Sequence, residues 1–185
     1  MDDQGIPRGV ATVDQNRVEV HFDGACEPPK GGGVATWGYV VRGAGLYHED
    51  SGLAVRPYSS HATNNVAEYV AAIRALEWLG AQGFEGEVLA TGDSQLVVRQ
   101  MRGEYEVRAE HLKAYHSHLT ALTRRFRHVE FRWVPREENR VADALSKEAL
   151  EEARAQAGSH RPEVPVEVPE EDVLPDSEPD RGERS

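Results

Sequence analysis

Val18, Val20 and Phe22 alternate with Glu19 and His21, the period-two pattern of a strand with one buried face. The run stops at Asp23-Gly24, where glycine lets the backbone turn and approach a ligand closely. Residues 27–33 form a loop by composition. Residues 34–41 and 46–55 are two further strands, with hairpin chemistry between them at Arg42-Gly43-Ala44-Gly45. The period then changes. Residues 60–65 are a polar loop with N-cap residues. Val66, Val70, Ile73, Leu76 and Leu79 recur at threes and fours, a helical stripe that Gly80 and Gly83 close. Residues 87–91 are short, apolar and strand-like, and Gly92-Asp93-Ser94 leads into a helix over about 94–101. Further along, 109–126 is helical, 129–134 is a fifth strand, 135–138 a loop, and 139 to about 155 a last helix. The order β-β-β-α-β-α-α-β-α makes this an α/β chain: three antiparallel strands, then parallel additions, in a five-stranded mixed sheet flanked by helices.

Composition bounds the picture without changing it. A length of 185 residues and a hydrophobic fraction of 39% suit one domain with a proper core. The expected layout is a flexible N-terminal arm over 1–16, a domain over 17–157, and a disordered acidic, proline-rich tail over 158–185. No run of about 18 apolar residues exists to span a membrane. The first residues have neither a basic segment nor an apolar core of a signal peptide. One cysteine excludes an internal disulfide framework. Cytoplasmic location is therefore expected.

The net charge of -11 argues at first against a nucleic-acid partner. Its placement removes the objection. Residues 151–185 hold 11 acidic and 4 basic side chains, which leaves 21 and 17 for residues 1–150. The body is close to neutral, and a few acids gathered around metal ions would make up its deficit.

Asp23 ends the first strand, and Asp93 follows the fourth at its junction with a helix. Ligands of open α/β sheets gather beyond the carboxyl ends of strands, so these two acids meet if the strands are parallel neighbours. Glu68 is expected in the first turn of the first long helix and Asp143 in the first turn of the last, both able to project to the same edge. Four carboxylates that close together need counter-charge. Hard divalent cations supply it, Mg²⁺ above all where phosphate also coordinates. Two such ions roughly 4 Å apart can activate a water and steady the leaving oxygen of an in-line attack on phosphorus. Taken singly, each acid also has an ordinary reading: a turn at Asp23, helix N-terminal acids at Asp93 and Asp143, a surface acid at Glu68.

The local strings FDGAC (22–26), TNNVAEY (63–69), GDSQLV (92–97) and ENRVADALS (138–146) occur in this order. Together they closely resemble type 1 ribonuclease H over about residues 17–150. The short connection from Met101 to Glu110 looks most like the archaeal-type and related bacterial members, which lack a basic protrusion. The resemblance implies the ribonuclease H-like fold and metal-dependent hydrolysis of the RNA strand of RNA–DNA hybrids, leaving 5′-phosphate and 3′-hydroxyl ends. It implies Asp23, Glu68, Asp93 and Asp143 as catalytic metal ligands for two Mg²⁺ ions, with Mn²⁺ as a substitute. Asp23 would bridge both ions, and Glu68 would lie near the RNA 2′-hydroxyl. Asn64, Asn65 and Gln95 would face the minor groove of the hybrid, Thr63 a DNA phosphate, and the backbone at Gly24, Ala25 and Cys26 the RNA. Amides suit this work because they donate and accept without demanding a particular base. A monomer is expected; double-stranded RNA stays open as a second partner.

Two departures stand out. Many relatives carry a histidine in the loop before the last helix, whereas Trp133-Val134-Pro135-Arg136-Glu137-Glu138-Asn139 has none, and Arg136 is the candidate to stand near the scissile phosphate instead. The missing protrusion removes phosphate contacts; Arg99, Arg102 and Arg108 are better read as solvated surface than as replacements. His111, His116 and His118 lack a further ligand at metal spacing, and Trp37, Trp78 and Trp133 fit a core better than base-stacking platforms. A non-catalytic module gripping hybrid or double-stranded RNA would usually have lost one of the four acids. A Mg²⁺ phosphatase for small esters would need no groove of Asn64, Asn65 and Gln95.

Overall fold

A strand whose apolar face must be buried needs neighbours on its edges and a helix over that face. The computed structural model describes residues 14, 16–29 and 32–156 and gives the first strand both. The arm expected over 1–16, apart from residues 14 and 16, and the tail expected over 158–185 lie outside the described residues. Strand β1 (Arg17–Glu27) pairs antiparallel with β2 (Val34–Gly43), and β2 pairs antiparallel with β3 (Leu46–Leu53). The β2–β3 turn is Ala44-Gly45, with φ of 51° and 77°. Positive φ at both central residues is the turn geometry that follows strand twist. On its other edge β1 runs parallel to β4 (Glu87–Gly92), which in turn runs parallel to β5 (His128–Trp133), so the sheet order is β3-β2-β1-β4-β5.

Helix α1 (Asn64–Ala81) lies against β1 and β2, with α2 (Gln95–Met101) and α3 (Glu110–Thr123) packed beside it. Helix α4 (Arg140–Gln156) covers β1, β2 and β3. Glycines reveal how the two layers sit. A Cβ on Gly24 would lie 2.3 Å from the Glu68 amide nitrogen, and one on Gly38 would lie 2.6 Å from that of Ser146. Gly38 is the register partner of Asp23, so Asp23 and Gly38 face α4 while Gly24 faces α1. Strand β2 is thus covered on both sides, which explains its continuous buried run from Val34 to Val41. The main core joins Val18, Val20 and Phe22 to Ile73, Leu76, Leu79, Leu112 and Leu119. Gln100 is buried and ties α2 to α1, its Oε1 accepting from the Tyr69 hydroxyl at 2.8 Å.

Differences from the sequence expectations are at element ends. The first strand does not stop at Asp23-Gly24: its pairing with β4 ends at Phe22, but its pairing with β2 carries it on to Glu27, so Asp23 lies inside the strand. The third strand stops at Leu53, although Ala54 and Val55 are still buried and the Ala54 amide still donates to the Ala35 carbonyl at 2.8 Å. Helix α3 ends at Thr123, and Phe126 reaches the core from the turn that follows. The three histidines go separate ways: His111 lies beside His61, His116 against Tyr69, and His118 on Glu77 at 3.2 Å. Among the described residues no helix is long and apolar enough to cross a membrane.

Replacing Gly38 by alanine pushes a methyl into backbone atoms of α4. A G38A variant is expected to lose about 1–3 kcal/mol of stability in urea unfolding, since α4 must move to make room.

Candidate active site

The parallel register sets Phe22 opposite Gly92, the last pair between β1 and β4, so the next residues, Asp23 within β1 and Asp93 just past β4, come side by side. Close packing at Gly24 brings α1 onto the same point and delivers Glu68 from above. Ligand oxygens of Asp23, Glu68 and Asp93 all lie within 4.8 Å of one another. Asp23 is 2% exposed and Glu68 4%. Glu68 is not in the first turn of its helix, as expected, but in the second. Thr63 caps α1 by accepting from the Val66 amide at 3.2 Å, so the helix starts at Asn64 rather than Val66. Of the N-cap residues in the loop over 60–65, Thr63 is the cap, and Asn64 and Asn65 lie in the first turn. Asn64 Nδ2 donates to Glu68 Oε1 at 3.5 Å, while Glu68 Oε2 is buried without a partner.

Asp143, in the first turn of α4, is not in that close group. Its Oδ1 accepts from Arg136 Nε at 2.7 Å and Nη2 at 2.6 Å, and its Oδ2 from Lys147 Nζ at 2.7 Å. Arg136, on a 3-10 turn (Arg136–Glu138), also comes within 3.9 Å of Asp93. Asp143 is still near enough for its charge to act on Asp23.

Two residues not singled out from sequence hold the acids in place. The Ser146 hydroxyl donates to Asp23 Oδ2 and lies 3.0 Å from the Asp143 carbonyl, and its own carbonyl accepts from Thr36 Oγ1 at 2.7 Å. Asn139 is buried, and its Nδ2 donates to the Phe22 carbonyl at 2.9 Å while its carbonyl accepts from the Asp143 amide. It straps the start of α4 to the middle of β1, beside Asp23. The available signal was spacing: Ser146 follows Asp143 by three, on the same helix face.

Trp133 corrects an expectation. It is 42% exposed rather than a core residue, because β5 is an edge strand and the indole stands at its end. Its Nε1 donates to the Asp93 carbonyl at 3.0 Å, and the next amide, Val134, donates to the Gly92 carbonyl at 3.0 Å. The pair fixes the segment that presents Asp93. Trp37, by contrast, is buried, and Trp78 packs partly buried against the core.

The other sequence candidates differ in exposure. Asn65 and Gln95 are exposed, and Thr63 and Asn64 half-buried. Ser94 caps α2, leaving Gln95 as its first residue. Gly24 is buried, and the Cys26 thiol lies 3.1 Å from the Ala62 carbonyl, which holds the loop before α1 beside β1. Arg99, Arg102 and Arg108 engage Tyr105, Glu104 and Glu106 locally, and residues 102–109 between α2 and α3 carry no helix.

Electrostatics separates the acids. Burial pushes Asp23 up to about 7, against the pull of the Ser146 hydrogen bond and with further push from the Asp93 and Asp143 charges. Burial likewise drives Glu68 well above the usual carboxylate range, aided by the charges of Asp23 and Asp93 and opposed by a Gly24 backbone hydrogen bond. Burial also pushes Asp143 up, but Lys147 and Arg136 outweigh it and hold this carboxyl low. Two buried acids that resist ionisation, a third nearer the surface, and an orphaned buried oxygen form a donor set of hard oxygens. That set fits a divalent ion of the Mg²⁺ type.

A family model described as reverse transcriptase-like matches residues 21–149. Ribonuclease HI of Halobacterium salinarum is 35% identical over 153 residues, covering 80% of this chain and 74% of that protein. Among solved structures, the N-terminal RNase H domain of Rv2228c from Mycobacterium tuberculosis is 33% identical with a TM-score of 0.68, over 76% of this chain and 98% of that one. LC11-RNase H1, solved in complex with an RNA/DNA hybrid, is 35% identical with a TM-score of 0.65, over 74% of this chain and 99% of that one. With the strand order, the converging acids and these likenesses in agreement, the chain belongs to the type 1 ribonuclease H family.

Proposed function

We propose that this chain is a divalent-metal-dependent endonuclease that hydrolyses the RNA strand of RNA–DNA hybrids, leaving 5′-phosphate and 3′-hydroxyl ends. The observation that carries the reading is the convergence of Asp23, Glu68 and Asp93 around a buried, unpartnered carboxylate oxygen. A relative of the same family was solved on an RNA/DNA hybrid, which supports the substrate class.

Asp23, Glu68, Asp93 and Asp143 are the residues that would hold the ions, two Mg²⁺ or two Mn²⁺. When bound, such ions lower the pKa of an attacking water and stabilise charge on the departing 3′ oxygen. The chain's own contribution is placement. Ser146 and Asn139 hold Asp23 and the start of α4, Trp133 holds the Asp93 segment, and Gly24 lets Glu68 approach. The same buried setting excludes water around Asp23 and Glu68, so electrostatic interactions there act at lower dielectric than in solvent. Asn64, Asn65 and Gln95 contact the hybrid in its minor groove, with Thr63 toward a DNA phosphate and the backbone at Gly24 and Cys26 toward RNA. Exposed amides beside the acids suit readout of 2′-hydroxyls without base specificity. Arg136 stands near the scissile phosphate. All four acids come from one chain, so a monomer suffices, and the lone Cys26 fits a reducing cytoplasm. Double-stranded RNA is a substrate to be tested beside the hybrid.

An end-labelled hybrid incubated with Mg²⁺ or Mn²⁺ is expected to yield internal RNA cuts with 5′-phosphate ends, and D93N to cut at least about 100-fold more slowly, the scale of losing a catalytic group's contribution. A hybrid left intact with both ions, but bound, would point to a non-catalytic module instead. The raised acids also set a pH dependence of metal-free stability. Asp23 titrates at about 7 in the folded chain against an ordinary 3.8, so the folded state holds an extra proton between those values. Its contribution is fully present below about pH 4 and is lost as pH rises through about 7, the loss growing by about 1.4 kcal/mol for each pH unit crossed between the two values. Glu68 acts in the same direction; Asp143, held low, contributes only a loss on acidification below 3.8. Thermal unfolding in chelator should therefore show a falling Tm from pH 5 to pH 8, a flatter profile in D23N, and recovery on adding Mg²⁺ at pH 8.

A further inference from the structure

Asp143 differs from the other three acids in already having its counter-charge. Both of its oxygens are engaged, one by Arg136 and one by Lys147. The two cations are not equivalent in position. Lys147 lies one helical turn along α4 from Asp143 and meets only the outer oxygen, Oδ2. Arg136 comes from the turn before α4. It meets Oδ1 through both Nε and Nη2 and stands 3.9 Å from Asp93 Oδ2. The guanidinium therefore lies between an acid of the close group and the acid left outside it. Its side chain is 60% exposed, so it is free on one side to swing away into solvent.

We propose that Arg136 is a built-in counter-ion that occupies the interval between Asp93 and Asp143 in the metal-free chain and must withdraw before a divalent cation can draw those two acids together. The inference rests on the reading of the four acids as a cation site. Its physical basis is the geometry of the pair. A planar guanidinium forked on a carboxylate oxygen neutralises it, and a cation that needs that same oxygen competes with the guanidinium for it. Among the described residues, the close group of Asp23, Glu68 and Asp93 has no such competitor forked on it. The chain should then load its cations unequally: the ion held by the three converged acids tightly, and the one that needs Asp143 weakly. Arg136 in this role is a positioning residue for the site rather than a reacting group.

Electron paramagnetic resonance titration of the metal-free full chain with Mn²⁺ counts bound ions without reference to activity. In the unsubstituted chain a tighter and a weaker Mn²⁺ are expected. R136A should shift half-saturation of the weaker ion to about three- to fivefold lower Mn²⁺, the size of a partly exposed ion pair, and leave the tighter one nearly in place. R136K, which keeps the charge but loses the fork, should fall between. K147A removes the same unit of charge from the outer oxygen and should shift the weaker ion less than R136A does. Weaker-ion binding in R136A no tighter than in the unsubstituted chain would overturn the counter-ion role while leaving the cation site intact. An equal shift in K147A would overturn the claim that the place of Arg136 matters. No Mn²⁺ bound by the unsubstituted chain would overturn both this inference and the reading on which it rests.

Discussion

The structure depends on burying one carboxylate where three elements meet. Asp23 lies within β1, with α4 on its own face and α1 on the face of its neighbour Gly24. Packing that close demands residues without side chains at the crossing points, hence Gly24 and Gly38. It also strips water from the carboxyl, which raises its pKa and makes it costly to ionise. The Ser146 hydroxyl offsets part of that cost, and the remainder is what a cation would relieve. Fold and chemistry are coupled there: the contacts that close the two helical layers over the sheet also create the desolvated acid.

A second consequence is an asymmetry in charge. The acids delivered by β1 and α1 sit deep and are driven toward their neutral forms, with no described cationic side chain bonded to them. The acid delivered by α4 sits at the rim, bound by Arg136 and Lys147, and stays ionised. Side chains of the same chemical type thus meet two different environments within one cleft. Environment rather than residue type decides which acid carries a proton at rest.

The scaffold around the acids is built mostly from carbonyl oxygens. Asn139 donates to the carbonyl of Phe22, Trp133 to that of Asp93, Thr36 to that of Ser146, and the Cys26 thiol lies against that of Ala62. Each bond joins one element to another segment far away in the chain. With the backbone held in this way, Glu68 Oε2 stays without a partner.

Local pattern by itself determined the order of elements, the α/β class and the four acid-bearing strings, because side-chain period and turn chemistry act over a few neighbouring residues. It also determined that Asp93 follows a strand, but Asp23, expected at a strand end, lies inside β1, and only the parallel register brought the two side by side. Tertiary structure alone decided that Asp143 is clasped by Arg136 instead of joining the other three, that Ser146 serves Asp23 from the helix packed over its face, and that Trp133 is exposed at an edge. Those outcomes turn on which distant charges and surfaces the fold brings within a few ångströms. Periodicity states that a face is apolar or an acid is present; it carries no information about what arrives from a hundred residues away to cover the one or neutralise the other.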